Sequence, residues 1–213
     1  MGKKFKFILS GFVVVSLLLI FALPVFAENG LGSFMSDWGK VLKEYAINKD
    51  NTSSDLFAKG NTATITNEEV KQATDFYILS GMNNEDAKKQ AINYVKEREA
   101  LYEMAIRNGY MVTDDEVLDY LNQLKETINT ADNKEDVYAV MKSFDSEQDY
   151  WDYEFTVYQK NLPIEKYVES LQDQYESKTT LKRGTTEFLN DFNSYFNNYK
   201  KSLVEAENYQ IVE

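Results

Sequence analysis

The sequence predicts a mainly α-helical protein with one small β patch. Three observations lead there. The 213 residues hold only two prolines and nine glycines, so few positions interrupt a helix. Apolar residues recur at every third or fourth position along most of the chain. Two short stretches alternate instead, LFAKGNTATIT at 56–66 and NYQIVE at 208–213.

Residues 1–27 read as a signal peptide. MGKKFKF supplies a basic start and ILSGFVVVSLLLIFAL an apolar run, and Val25 and Ala27 are the small residues before a cleavage point after Ala27. The apolar run approaches the minimum for crossing a bilayer, so an uncleaved anchor is the alternative and the one membrane association expected. Either way the chain is expected to be exported, as a secreted or envelope-associated protein. Cleavage would remove Lys3, Lys4 and Lys6 and no acid, leaving 20 basic against 35 acidic side chains, a net charge near −15. That charge disfavours nucleic acid and anionic lipid and favours basic or mixed-charge ligands.

Histidine and cysteine are both absent. Ser-His-Asp and Cys-His nucleophilic sites cannot be built, nor can His/Cys zinc sites or disulfides. What survives is carboxylate chemistry or oxygen-ligated calcium, and the acids must be tested one group at a time. No catalytic residue, metal ligand or cofactor is expected to emerge from that test.

Residues 28–55 read as an N-terminal amphipathic helix and linker. Phe34, Met35, Trp38, Val41, Leu42, Tyr45 and Ala46 make the stripe, Ser33 is the expected cap, and the polar run NKDNTSSD (48–55) ends it. The segment 56–66 turns at Lys59-Gly60-Asn61 as a hairpin. Thr66 precedes Glu69 by three residues, a capping box stapled by Ile65 and Val70, and that helix stops at Gly81.

Residues 83–109 form the strongest helix, striped by Ala87, Ala91, Val95, Leu101, Tyr102, Ala105 and Ile106 and stopped by Gly109. Arg98 lies near that stripe and is expected to pack its stem while its head pairs with an acid. The acids Asp114, Asp115 and Glu116 suggest a metal cluster at first sight. Val112 to Val117, however, repeats the layout of Ile65 to Val70: Thr113 caps, Glu116 closes the box, and both aspartates sit in the first turn. Val117, Leu121, Leu124 and Ile128 carry the helix onward, and a shorter helix spans about 134–142.

Next, Tyr150, Trp151, Tyr153, Phe155 and Tyr158 wrap aromatics around most of a helix. Such a helix either packs into a core or offers an aromatic groove to a client. Asp149, Asp152 and Glu154 interleave with it, but a glycosidase pair needs two carboxylates facing across a cleft. Leu162, Ile164, Tyr167, Val168, Leu171 and Tyr175 extend the pattern to about Ser177, and ESKTTLKRGTT (176–186) reads as a connector. A last helix carries Phe188, Phe192, Tyr195, Phe196, Tyr199 and Leu203. Tyr209 and Ile211 then alternate as a strand that needs a partner, and 56–66 is the nearest one.

AKGNTATITNEEV (58–70), ALYEMAIRNGYMVTDDEV (100–117), LPIEKYVESL (162–171) and the closing YFNNYKKSLVEAENYQIV (195–212) resemble the SurA N-terminal and PrsA-like chaperone domains. More distantly they resemble the substrate-binding part of trigger factor. The resemblance covers about 56–213 and rests mostly on caps and core positions. It implies a helical chaperone domain with a small β patch, without catalysis, holding unfolded or extended segments of exported proteins. Those clients would meet Tyr150, Trp151, Tyr153, Phe155 and Tyr158, with Met104 and Met111 as adaptable neighbours. Relatives of this type carry a parvulin prolyl isomerase between the chaperone helices and the closing helix. The connector 176–186 stands in that place, far short of the roughly 90 residues such a domain needs, so the isomerase is expected to be missing. The alternative is a dedicated assembly factor that uses the same fold for one fixed partner.

Overall fold

The computed structural model describes residues 31–48 and 55–212. The expected signal peptide at 1–27 and the linker residues 49–54 lie outside the described residues. The protein is mainly helical with a small antiparallel sheet, as the sequence predicts.

Helix α1 (Leu31–Asn48) buries Met35, Trp38 and Leu42 on one face. It begins two residues before Ser33, which therefore lies in the first turn and is not the cap the sequence suggests. Strands β1 (Leu56–Lys59) and β2 (Thr64–Thr66) form the hairpin, and β3 (Gln210–Ile211) pairs antiparallel with the other edge of β1. Ala58 faces Ile65 on one side and Ile211 on the other, and Ala58 and Ile65 are fully buried.

Helices α2 (Asn67–Leu79) and α4 (Asp114–Thr130) both start with complete capping boxes. The amides of Glu69 and Glu116 donate to Thr66 and Thr113 Oγ1 at 3.2 Å, and the two Glu carboxylates accept the threonine amides in return. Between them runs α3 (Asn84–Arg107), capped by Asn83. Gly81 (φ 96°) and Gly109 (φ 84°) take the left-handed conformation that ends a helix without a Cβ penalty.

Helix α5 (Lys134–Met141) packs on α1 so closely that a Cβ at Gly39 would stand 2.7 Å from the Val140 carbonyl oxygen. Helix α6 (Glu147–Glu176) runs 30 residues with Pro163 inside it. The proline removes one helical bond, to the carbonyl of Gln159. Helix α7 (Thr186–Glu207) ends at Asn208, whose φ of 50° turns the chain into β3.

The buried apolar residues form two clusters. The first joins α1, α2, α4, α5, the sheet and the first half of α6. The second joins the ends of α3 and α6 to α7. Helices α3 and α6 thread both, and the change from one cluster to the other falls after Val95 on α3 and after Leu162 on α6.

Candidate functional site

The aromatic run of α6 belongs mostly to the interior. Tyr150, Trp151 and Tyr158 are 0%, 5% and 2% exposed, so they offer no open face to a client. Tyr150 meets Phe144 and Trp151 edge-on, and Tyr158 lies 4.9 Å from the Tyr120 ring. Tyr153 and Phe155 are half-buried against the same core, and Tyr153 accepts a hydrogen bond from Gln72 Nε2 at 2.7 Å. The physical reason is position: α6 is packed by α3 and α4, so aromatics around its circumference meet a neighbour in several directions. Met104 packs against the second cluster, while Met111 is 68% exposed just beyond Gly109. The structure does not bring these seven residues together as one surface.

Between the two apolar clusters lies a layer of part-buried charge, of which only Glu99 is buried outright. Arg98 on α3 donates to Glu69 Oε1 on α2 (2.7 Å) and to Glu99 Oε1 (2.8 Å). Lys160 on α6 donates to Glu69 Oε1 (2.9 Å) and Glu99 Oε2 (2.8 Å). Two cations and two anions thus close on each other. Burial pushes the Glu69 carboxyl up, but the Arg98 and Lys160 charges outweigh it and hold the group at about 2. Lys160 is likewise desolvated, yet Glu99 and Glu69 raise its pKa above the usual range. The pairing expected for Arg98 is present and joins α3 to α2, while Lys160 brings α6 to the same carboxylates. A recess of about 320 Å³ lies beside this layer, lined by Trp38, Tyr45, Tyr94 and Tyr153 among others.

The larger concavity is a groove of about 760 Å³ between α3, α6 and α7. Its apolar lining comes from Val168, Phe196 and Val204, which are half-buried and open to the groove, backed by the buried Leu101, Ile164 and Phe192. Phe192 and Phe196 stack with ring centroids 5.7 Å apart and planes 9° from parallel, a ridge built by their i, i+4 spacing. Amides line both sides: Gln90 and Asn93 on α3, Asn193 and Asn197 on α7. Lys200 Nζ on α7 bridges to Glu97 Oε2 on α3 at 2.5 Å and sits 5.5 Å from the Phe196 ring. Along α3 the lining runs from Gln90 to Leu101, about 17 Å at 1.5 Å per residue, room for roughly five residues of extended chain.

Sequence reasoning assigned Phe192 and Phe196 only to the stripe of the last helix. A signal was present in their neighbours. Asn190, Asn193, Asn197 and Asn198 interrupt the aromatics with neutral amides where a simply solvated face would carry charges. Among the described residues no group of three or more acids could hold a metal ion, and no helix is long and apolar enough to cross a membrane. Comparison with protein-family models, curated proteins and solved structures finds no match for this chain.

Proposed function

We propose that the protein is a non-catalytic chaperone of exported proteins that holds unfolded or extended segments in the groove between α3, α6 and α7. The observation that carries this reading is the pairing of an apolar, aromatic-ridged floor with amide-bearing sides. An apolar floor binds client side chains without regard to their identity. Asn and Gln each offer a donor and an acceptor, which suits the main-chain groups common to every extended segment. The resemblance of 58–70, 100–117 and 195–212 to SurA-type domains agrees with it. The client surface is thereby moved from the α6 aromatics to α7.

The test is aggregation of a chemically unfolded reporter protein at near-stoichiometric ratio. The wild-type chain suppresses it, and Phe196→Glu, which places a charge on the ridge, weakens suppression while keeping the helical circular dichroism. Absence of suppression at low and high salt overturns the reading. Recovery of one stoichiometric partner, in place of many clients, from an envelope extract would favour the fixed-partner alternative.

A further inference from the structure

The charge of the groove is opposite to that of the chain around it. The whole sequence carries 23 basic and 35 acidic side chains. The groove lining carries four basic residues, Lys96, Arg98, Lys200 and Lys201, and two acids, Glu97 and Glu205. Two of those cations are already committed, Arg98 to the part-buried layer and Lys200 to Glu97. Among the described residues Lys96 and Lys201 make no ion pair, and they stand on α3 and α7, one on each side of the groove. Lys96 Nζ lies 5.8 Å from the Tyr209 ring, which leaves its three donors without an anionic acceptor.

Net charge alone argues for basic or mixed-charge ligands. Local geometry argues otherwise, because at physiological ionic strength exposed charges are screened beyond about 8 Å. A bound segment therefore responds to Lys96 and Lys201 more than to the distant acids that set the net charge. We propose, resting on the chaperone reading above, that the groove selects extended apolar segments carrying acidic side chains. The apolar residues of the segment lie on Phe196, Val168 and Val204, the half-buried part of the lining, its main chain meets the amides, and its carboxylates reach Lys96 and Lys201.

The experiment uses fluorescence anisotropy of three short labelled peptides with one apolar core, flanked by Glu, by Gln or by Lys. The Glu peptide is expected to bind about three- to tenfold tighter than the Gln peptide, and the Lys peptide weaker than both. The Lys96→Gln/Lys201→Gln double variant brings the Glu peptide level with the Gln peptide while leaving Gln-peptide affinity unchanged. Equal binding of all three by the wild type, or tightest binding of the Lys peptide, overturns the inference and leaves the chaperone reading standing. Failure of all three to bind, in a protein with native circular dichroism, overturns both.

Discussion

Arg98 Nη2 donates to Glu69 Oε1 at 2.7 Å, tying the middle of α3 to the first turn of α2. Glu69 is also the residue that closes the Thr66 capping box, through its other oxygen. One side chain therefore starts a helix and anchors it to two others, since Lys160 of α6 shares the same carboxylate. Its counterpart Glu116 closes the second box but, among the described residues, forms an ion pair only with Lys166 at the surface.

The two boxes predict different responses to one substitution. Gln still closes a capping box but carries no charge. Glu69→Gln is expected to cost about 2–4 kcal/mol, because Arg98 and Lys160 lose an anion in a desolvated site. Glu116→Gln is expected to cost less than about 1 kcal/mol, as an exposed pair does. Because the folded Glu69 titrates at about 2, below its unfolded value, its contribution is present above about pH 4.5. It is lost as pH falls toward 2. Urea unfolding of both variants at neutral and acid pH measures the difference.

Glu165 has the opposite sign. Burial lifts its carboxyl to about 7, although a hydrogen bond from Tyr120 at 2.9 Å partly offsets the rise. The folded state binds a proton that the unfolded state has released above about pH 4.5, so stability falls as pH rises from there through 7. Glu165→Gln is expected to be more stable than wild type at pH 8 by about 1–3 kcal/mol, with the gap closing by about pH 4. Thermal midpoints across that range provide the check.

Glu207 fastens α7 to the hairpin. Its carboxylate accepts the amides of Thr62 (2.8 Å) and Ala63 (3.0 Å) together with the Thr62 hydroxyl, and it is nearly buried. These bonds outweigh the effect of burial and hold its pKa below the usual range. Gly60 is needed beside it, since a Cβ there would lie 2.5 Å from Glu207 Oε2. Glu207→Ala is expected to cost about 2–4 kcal/mol and to accelerate hydrogen exchange at the Thr62 and Ala63 amides.

Gly39→Ala tests the contact between α1 and α5. Alanine gains about 1 kcal/mol in helix propensity. The new methyl meets the Val140 carbonyl oxygen, a backbone atom that cannot rotate away. A net loss of about 1–2 kcal/mol is expected in chemical denaturation, against the propensity scale.

What the sequence made legible was what one helical turn can encode. Thr66, Thr113, Gly81 and Gly109 act within three or four residues of themselves, and all stand where the pattern put them. The partnership of the final strand with 56–66 was readable too, because a two-residue strand has few places to go. Contacts between distant segments were not. Arg98 was visibly in need of an acid, but nothing local pointed to Glu69, 29 residues away. The aromatics of α6 could have faced a client or a neighbour, and only the arrangement of the helices around α6 decides for the neighbour. The groove depends on the spacing of three helices, which no single periodicity contains.

The place of β3 in the sheet bears on the order in which the chain can assemble. Residue 58 pairs with residue 211, and closing a loop of that span costs about 4 kcal/mol in chain entropy before any contact repays it. A chain delivered from its N-terminus presents β1 with one neighbour until everything through β3 has followed. Until then the edge of β1 stays open for pairing. A protein proposed to shield unfinished chains thus passes through an unfinished stage of its own, and β3 is the segment that ends it.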